Sequence, residues 1–312
     1  MTTEHSWPAA NDALRATRLT KVPDGRPRMV LDTDTYNEVD DQFALVHALL
    51  SPERVALEAV YAAPFHNRRS RGPGDGMEKS LEEIRRVFEL VGKNDVPAFA
   101  GSTEWLEGGA APRRCEAVDD LIERALIDGS EDPLYVVAIG APTNIANALL
   151  IEPALVERIV VVWLGGNAVH WPSAREFNLY QDPRSSRVLF DSGVPLIQIP
   201  CKNIADHLIT TRGEIDRHVR PAGPLGEFLA ERYLDYVGDR VGASKVIWDL
   251  AATGWLLDRG WSTTTLTHSP ILTSEMTWSR DSRRHLVGVV TELDRDGIFA
   301  DLFGRLASHA TR

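Results

Sequence analysis

Short apolar runs recur along the chain from Arg28 onward, at Met29 to Leu31, Val55 to Ala62, Val96 to Ala100, Leu134 to Ile139, Ile159 to Leu164 and Val194 to Ile199. Most are continuous rather than alternating, the pattern of strands covered on both faces, as in a parallel sheet. Between them, Asp41 to Leu50, Met77 to Val91, Val118 to Ile127, Thr143 to Leu150 and Arg184 to Phe190 carry helix-compatible spacing. The alternation predicts an α/β fold, an open and mostly parallel central sheet with helices on both faces. Beyond Pro200 the pattern turns mainly helical, through Pro224 to Tyr236 and Val246 to Leu257, and a last strand is expected around His285 to Val290. Residues 1–27 are polar, carry Pro and Gly, and read as an extension ahead of the domain. Without an internal repeat or a low-complexity linker, residues 28–312 read as a single domain.

In an open α/β sheet, ligands gather where the carboxyl ends of strands meet helix amino ends, so the polar residues just after each run are the candidates for chemistry. Bulk properties narrow that chemistry. A formal net charge of −11 opposes a phosphate backbone, which excludes polymeric nucleic acid as the expected partner. Cys115 and Cys201 lie far apart without metal or redox spacing and are expected to be reduced and buried. The amino terminus has no apolar signal-like stretch and no run spans a bilayer, so no membrane partner is expected and a cytoplasmic location is the default.

The segment Asp32-Thr33-Asp34-Thr35-Tyr36-Asn37-Glu38-Val39-Asp40-Asp41 places four aspartates between the end of the first strand and the start of the first helix after it. Asp32 and Asp34, two apart on an extended chain, are expected to share a face. Carboxylates gathered this closely repel unless protonated or joined by a cation, and hard oxygen ligands suit Ca²⁺ or Mg²⁺. The plainer reading makes Asp40 a helix cap and Asp32 a solvated strand end.

This segment resembles the opening motif of the nucleoside hydrolase family: an apolar strand, Asp-x-Asp, a short loop, Asp-Asp and a helix of small apolar residues. Further matches follow in order: Asn67 after the second strand, Val96 through Gly101, Gly140-Ala141-Pro142-Thr143-Asn144, Leu164-Gly165-Gly166, Glu176-Phe177-Asn178 before Asp182-Pro183, and Trp248-Asp249 at a helix start. The resemblance covers about residues 28 to 304. It implies calcium-dependent hydrolysis of the N-glycosidic bond of a ribonucleoside or related N-riboside, giving free base and ribose, by a dimer or tetramer with a Rossmann-like sheet. It also implies that Asp34, Asp41, Asp249 and the Thr143 carbonyl hold Ca²⁺, with Asp34 taking a proton from the attacking water. Asp40, Asn67, Glu176 and Asn178 would then bind the ribose hydroxyls.

The chain departs from the family pattern in three places. Five residues separate Asp34 from Asp40, two more than the usual proline-glycine loop. Trp248 stands where a histidine often protonates the departing base, so that base must be met by stacking or by another acid, unless Trp248 is a core residue. His170 falls where an asparagine often touches the 5′-hydroxyl, and reads as a substrate contact, a proton donor or a loop histidine. Two rival readings remain. Asp32-Thr33-Asp34-Thr35 also resembles the start of haloacid-dehalogenase-like phosphatases, with Asp32 as nucleophile and Mg²⁺ assisting. A non-catalytic nucleoside-binding protein could share the same scaffold.

Overall fold

The computed structural model describes residues 7, 11–93, 95–106, 111–127 and 132–311. The rest of the expected amino-terminal extension, residues 1–6 and 8–10, lies outside the described residues. In chain order the elements begin with α1 (Asp12–Thr20), β1 (Arg28–Thr33), α2 (Asp40–Leu49), β2 (Ala56–Ala62), α3 (Pro73–Val91), β3 (Ala98–Phe99), α4 (Glu116–Ala125), β4 (Leu134–Ala138), α5 (Thr143–Ile151) and β5 (Ile159–Leu164). They continue with α6 (Phe177–Gln181), α7 (Pro183–Asp191), β6 (Leu196–Ile199), β7 (Ile209–Thr211), α8 (Arg212–Glu214), α9 (Gly223–Val237), β8 (Ser244–Val246) and α10 (Leu250–Leu257). The last are β9 (Ser262–His268), β10 (Ile271–Leu272), β11 (Trp278–Ser279), β12 (Leu286–Leu293) and α11 (Arg295–His309).

Eight strands form one sheet in the order β3-β2-β1-β4-β5-β6-β12-β9, and only the β12–β9 pair at one edge is antiparallel. The expected α/β architecture is therefore observed. Its cause is visible in β1, where Met29 and Leu31 enter the core packed under α2, α3 and α10, while Val30 enters the one under α4 and α5. Both faces are buried, so no polar side chain has a solvent-facing slot to occupy until the strand ends.

Several features differ from expectation, among them the helix α11 after the last expected strand. Residues 262–268 form β9, yet the run Ser-Thr-Thr-Thr-Leu-Thr-His has too little apolar content to signal a strand. As an edge strand it buries little of its surface, and β-branched threonine suits an extended backbone without a hydrophobic pattern. Helix α10 starts at Leu250 rather than Val246, because Val246 belongs to the small antiparallel β7–β8 sheet. Within the polar leading segment, α1 packs on the domain: Leu19 is buried, Arg15 Nε donates to the Gly193 carbonyl at 2.9 Å, and Arg18 donates to the Glu157 carbonyl.

Close backbone approach fixes the β3 end of the sheet. A Cβ at Gly101 would lie 1.9 Å from the Ala62 carbonyl oxygen and 2.6 Å from Asn144 Nδ2. Gly101→Ala must displace backbone, and we expect it to cost about 2–3 kcal/mol, an overpacking penalty. A thermal melt matching wild type would show that this contact yields freely.

Candidate active site

Strand β1 ends at Thr33, and there the four aspartates part company. Asp32 turns towards α5, where its Oδ2 accepts from Asn144 Nδ2 at 2.8 Å. Burial pushes its carboxyl up to about 7. The expectation that Asp32 and Asp34 share a face does not hold, because the extended backbone stops between them. Past the strand end the chain turns, with Asn37 N donating to the Asp34 carbonyl at 2.7 Å, and the Asp34 carboxylate faces Asp41 and Asp40.

Asp40, Asp41 and Asp249 each offer an oxygen, and these oxygens all lie within 4.8 Å of one another. Asp41 Oδ1 accepts from Thr33 Oγ1 at 2.6 Å, and the Trp248 backbone N donates to Asp40 Oδ2 at 3.2 Å. Neither buried oxygen of Asp34 meets an N–H or hydroxyl donor, and its carboxyl stands against that of Asp41. Burial, followed by the neighbouring acids, raises Asp34 and Asp249 well above the ordinary carboxyl range. Burial likewise pushes Asp41 up to about 7 and Asp40 to about 6. A cluster of hard, buried and partly unpartnered carboxylates is the donor set that a metal ion satisfies.

These acids open onto a cavity of about 250 Å³ lined by Asn37, Glu38, Asp40, Asp41, Ile139, Leu164, Asn167, Arg175, Glu176, Phe177, Asn178, Cys201, Lys202, Trp248 and Asp249. Glu176 caps α6: its carboxylate accepts from the backbone N of Asn178 at 3.0 Å, Leu179 at 3.2 Å and Gly166 at 2.9 Å. Burial still holds its carboxyl above the usual range. Asn178 donates both amide hydrogens, to the carbonyls of Ile139 at 3.1 Å and Leu164 at 3.0 Å, which leaves its amide oxygen for a ligand.

Of the residues singled out from sequence, the structure brings Asp40, Asp41, Glu176, Asn178, Trp248 and Asp249 to this cavity, with Asp34 packed against the acids beneath it. Thr143 opens α5 with its hydroxyl donating to Asp182 Oδ2 at 2.9 Å. The turn before it reaches Asp34, since a Cβ at Gly140 would lie 3.2 Å from the Asp34 carboxyl carbon. Asn67 is not among the lining residues and braces Asn37, which is, donating to its Oδ1 at 2.6 Å. His170 is exposed, bonded to Asn203 Nδ2 at 2.8 Å, and borders a separate cavity.

Sequence reasoning missed several wall residues. Asn37 and Glu38 lie in the lengthened Asp34–Asp40 loop, so part of that loop forms pocket wall. Lys245 is buried behind them, its ammonium 2.6 Å from Glu38 Oε2 and 3.6 Å from Asp40 Oδ1. Although burial works against its charge, Asp40 and Glu38 hold it above the ordinary lysine range. Nothing in the surrounding Ala-Ser-Lys-Val sequence marks that lysine.

The phosphatase reading is not favoured, because Asp32, its required nucleophile, is bonded to Asn144, whereas Asp34 faces the acids that line the cavity. Among the described residues no helix is long and apolar enough to cross a membrane. The sequence profile of the inosine-uridine preferring nucleoside hydrolases matches residues 29–300. The chain is 29% identical over 262 residues to the pyrimidine-specific ribonucleoside hydrolase RihA of Escherichia coli O81 (strain ED1a), covering 73% of this chain and 79% of that one. Its fold is similar to that of a purine-preferring ribonucleoside hydrolase from Gardnerella vaginalis, with a TM-score of 0.71, 22% identity and coverage of 91% and 99% of the two chains. An inosine-uridine preferring nucleoside hydrolase from Bacillus anthracis superposes with a TM-score of 0.69 at 19% identity, covering 91% and 99%. With more than half of its length matched, the chain belongs to the inosine-uridine preferring nucleoside hydrolase family and is an N-glycosyl hydrolase.

Proposed function

We propose that the protein hydrolyses the N-glycosidic bond of a ribonucleoside or related N-riboside with the help of Ca²⁺ held by the buried acids. The observation that carries this reading is Asp34, whose two buried oxygens have no donor beside three further carboxylates at the end of a sugar-sized cavity. Asp34, Asp41 and Asp249, with the Thr143 carbonyl, would hold the ion. All are hard oxygen donors, as that ion requires. When bound, such an ion lowers the pKa of a coordinated water and anchors sugar hydroxyls.

The chain's own groups do the rest. Asp34 takes a proton from the attacking water. Asp40, Glu176 and the Asn178 amide oxygen accept hydrogen bonds from ribose hydroxyls, and Asn67 contributes by holding Asn37 in the wall. As the bond to the base breaks, positive charge develops on the ribose, and the acidic wall stabilises that charge more than the neutral ground state. Trp248 presents an aromatic surface at the cavity, suited to a planar base. The relatives divide between pyrimidine-specific and purine-preferring, so either class of base is consistent with this reading.

The test is to incubate pure protein with purine, pyrimidine and 5′-modified nucleosides, with and without a chelator, and to follow free base by chromatography. Release of base that stops on chelation and returns with Ca²⁺ is expected. Cleavage that persists in chelator would overturn the role given to the metal.

A further inference from the structure

Breaking a carbon–nitrogen bond to ribose leaves an electron pair on the base, and a catalyst gains by supplying a proton there. Resting on the riboside-hydrolase reading above, the question is which cavity group can do so. Most of its ionisable groups are carboxylates, which the acidic floor commits to the sugar side. Cys201 is buried, and burial together with Glu176 and Asp249 holds its thiol well above the usual range.

Three cations stand near. Lys245 is committed: its ammonium pairs with Glu38 and Asp40 and donates to the Val246 carbonyl at 2.7 Å. Arg175 lies over the Tyr180 ring at 4.2 Å, and a guanidinium does not give up its proton in a protein. Lys202 differs from both. It is exposed and lines the cavity, and its side chain makes no hydrogen bond or ion pair with any described residue. Its ammonium sits 5.4 Å from the centroid of the Trp248 ring.

The position is built on both sides. The Lys202 backbone N donates to Asn167 Oδ1 at 3.2 Å, and Asn167 is itself buried, tied to the carbonyls of Ser173 at 3.0 Å and Arg175 at 3.2 Å. Asn203, next in the chain, adopts a left-handed backbone with φ 76°, which fixes the turn that carries Lys202. Trp248 is held to the acidic floor through its backbone bond to Asp40, and Asp249 follows it. A base resting against Trp248 therefore lies within reach of the Lys202 ammonium.

We propose that Lys202 is the leaving-group acid. The C1′–N bond breaks, its electron pair passes to the base, and the base takes one proton from the Lys202 ammonium. The water oxygen bonds to C1′ and its proton passes to Asp34. Lys202 then regains a proton from solvent while Asp34 releases one, so the net change is riboside plus water to ribose plus base.

The experiment compares wild type, Lys202→Met and Lys202→Arg on nucleosides and on p-nitrophenyl riboside, whose nitrophenolate leaves without a proton. Lys202→Met should lose about 10²–10³-fold in kcat/KM on nucleosides and less than about 10-fold on the nitrophenyl substrate. Lys202→Arg, which keeps the charge without a releasable proton, should resemble Lys202→Met. Equal losses on both substrates, no loss on nucleosides, or recovery by arginine would overturn the acid role while leaving wild-type riboside hydrolysis intact. A wild type inert on every riboside would overturn the riboside-hydrolase reading itself.

Discussion

Asp34→Ala is expected to lower kcat/KM by about 10³–10⁴-fold while the protein stays folded, and Asp41→Ala to do the same. The two halves of that result have separate causes. On the proposed reading, activity falls because each substitution would remove a hard oxygen from the cation site, and Asp34 would also be the base. Stability survives because no N–H or hydroxyl donor loses an acceptor when Asp34 is removed. Removing it relieves repulsion from Asp41 and Asp40, so Asp34→Ala in chelator should melt at or above the wild-type temperature. Asp41→Ala differs slightly, because it loses the bond from Thr33 Oγ1, about 1 kcal/mol, against the same relief. Steady-state kinetics and thermal melts check both statements. Normal turnover in both variants would remove these acids from the site.

In chelator, the melting temperature is expected to fall as pH rises from 5 to 8, and added Ca²⁺ should cancel most of that fall. In the unfolded chain an aspartate titrates near 4. In the fold, burial raises Asp41 to about 7 and Asp40 to about 6, and burial with the neighbouring acids also raises Asp34 and Asp249 well above the ordinary range. A carboxyl whose folded pKa is raised favours the fold most at pH values below its unfolded pKa. That favour is lost as pH climbs through the raised folded value. A divalent cation reverses the loss by replacing mutual repulsion with attraction. At a hundred times its dissociation constant it adds about 2.7 kcal/mol, worth roughly 5 °C, and more at pH 8 than at pH 5 because protons compete with it. Asp32, also raised to about 7 but turned to Asn144, should leave a residual slope that Ca²⁺ does not remove. A melting temperature in chelator that ignores both pH and Ca²⁺ would mean the acids do not share one site.

The legible part of the site was the part that is local. Asp34, Asp40 and Asp41 lie within eight residues at a strand end, so their repulsion follows from connectivity alone. Asp249 was visible only through resemblance, because about two hundred residues of chain separate it from the others. Asn67 and His170 are carried-over residues that do not line the cavity. The lengthened loop sets Asn37 in the wall with Asn67 bonded to it, and His170 is tied to Asn203 at a separate cavity. Lys202 lies just past the Val194–Ile199 run, where ligands gather, but its role depends on the Trp248 ring folded against it, as that of Lys245 depends on Glu38 and Asp40.

By itself the sequence determined the class of fold and the sign of the site: buried strands demand unbroken apolar runs, and clustered aspartates demand a counter-charge. Tertiary structure alone decided which aspartate joins the cluster, which faces α5, and which cations stand at the cavity. The reason is range. Strand burial and neighbouring charge act between residues close in the chain, whereas the direction of a carboxylate past a strand end depends on partners that only folding brings within a few ångströms.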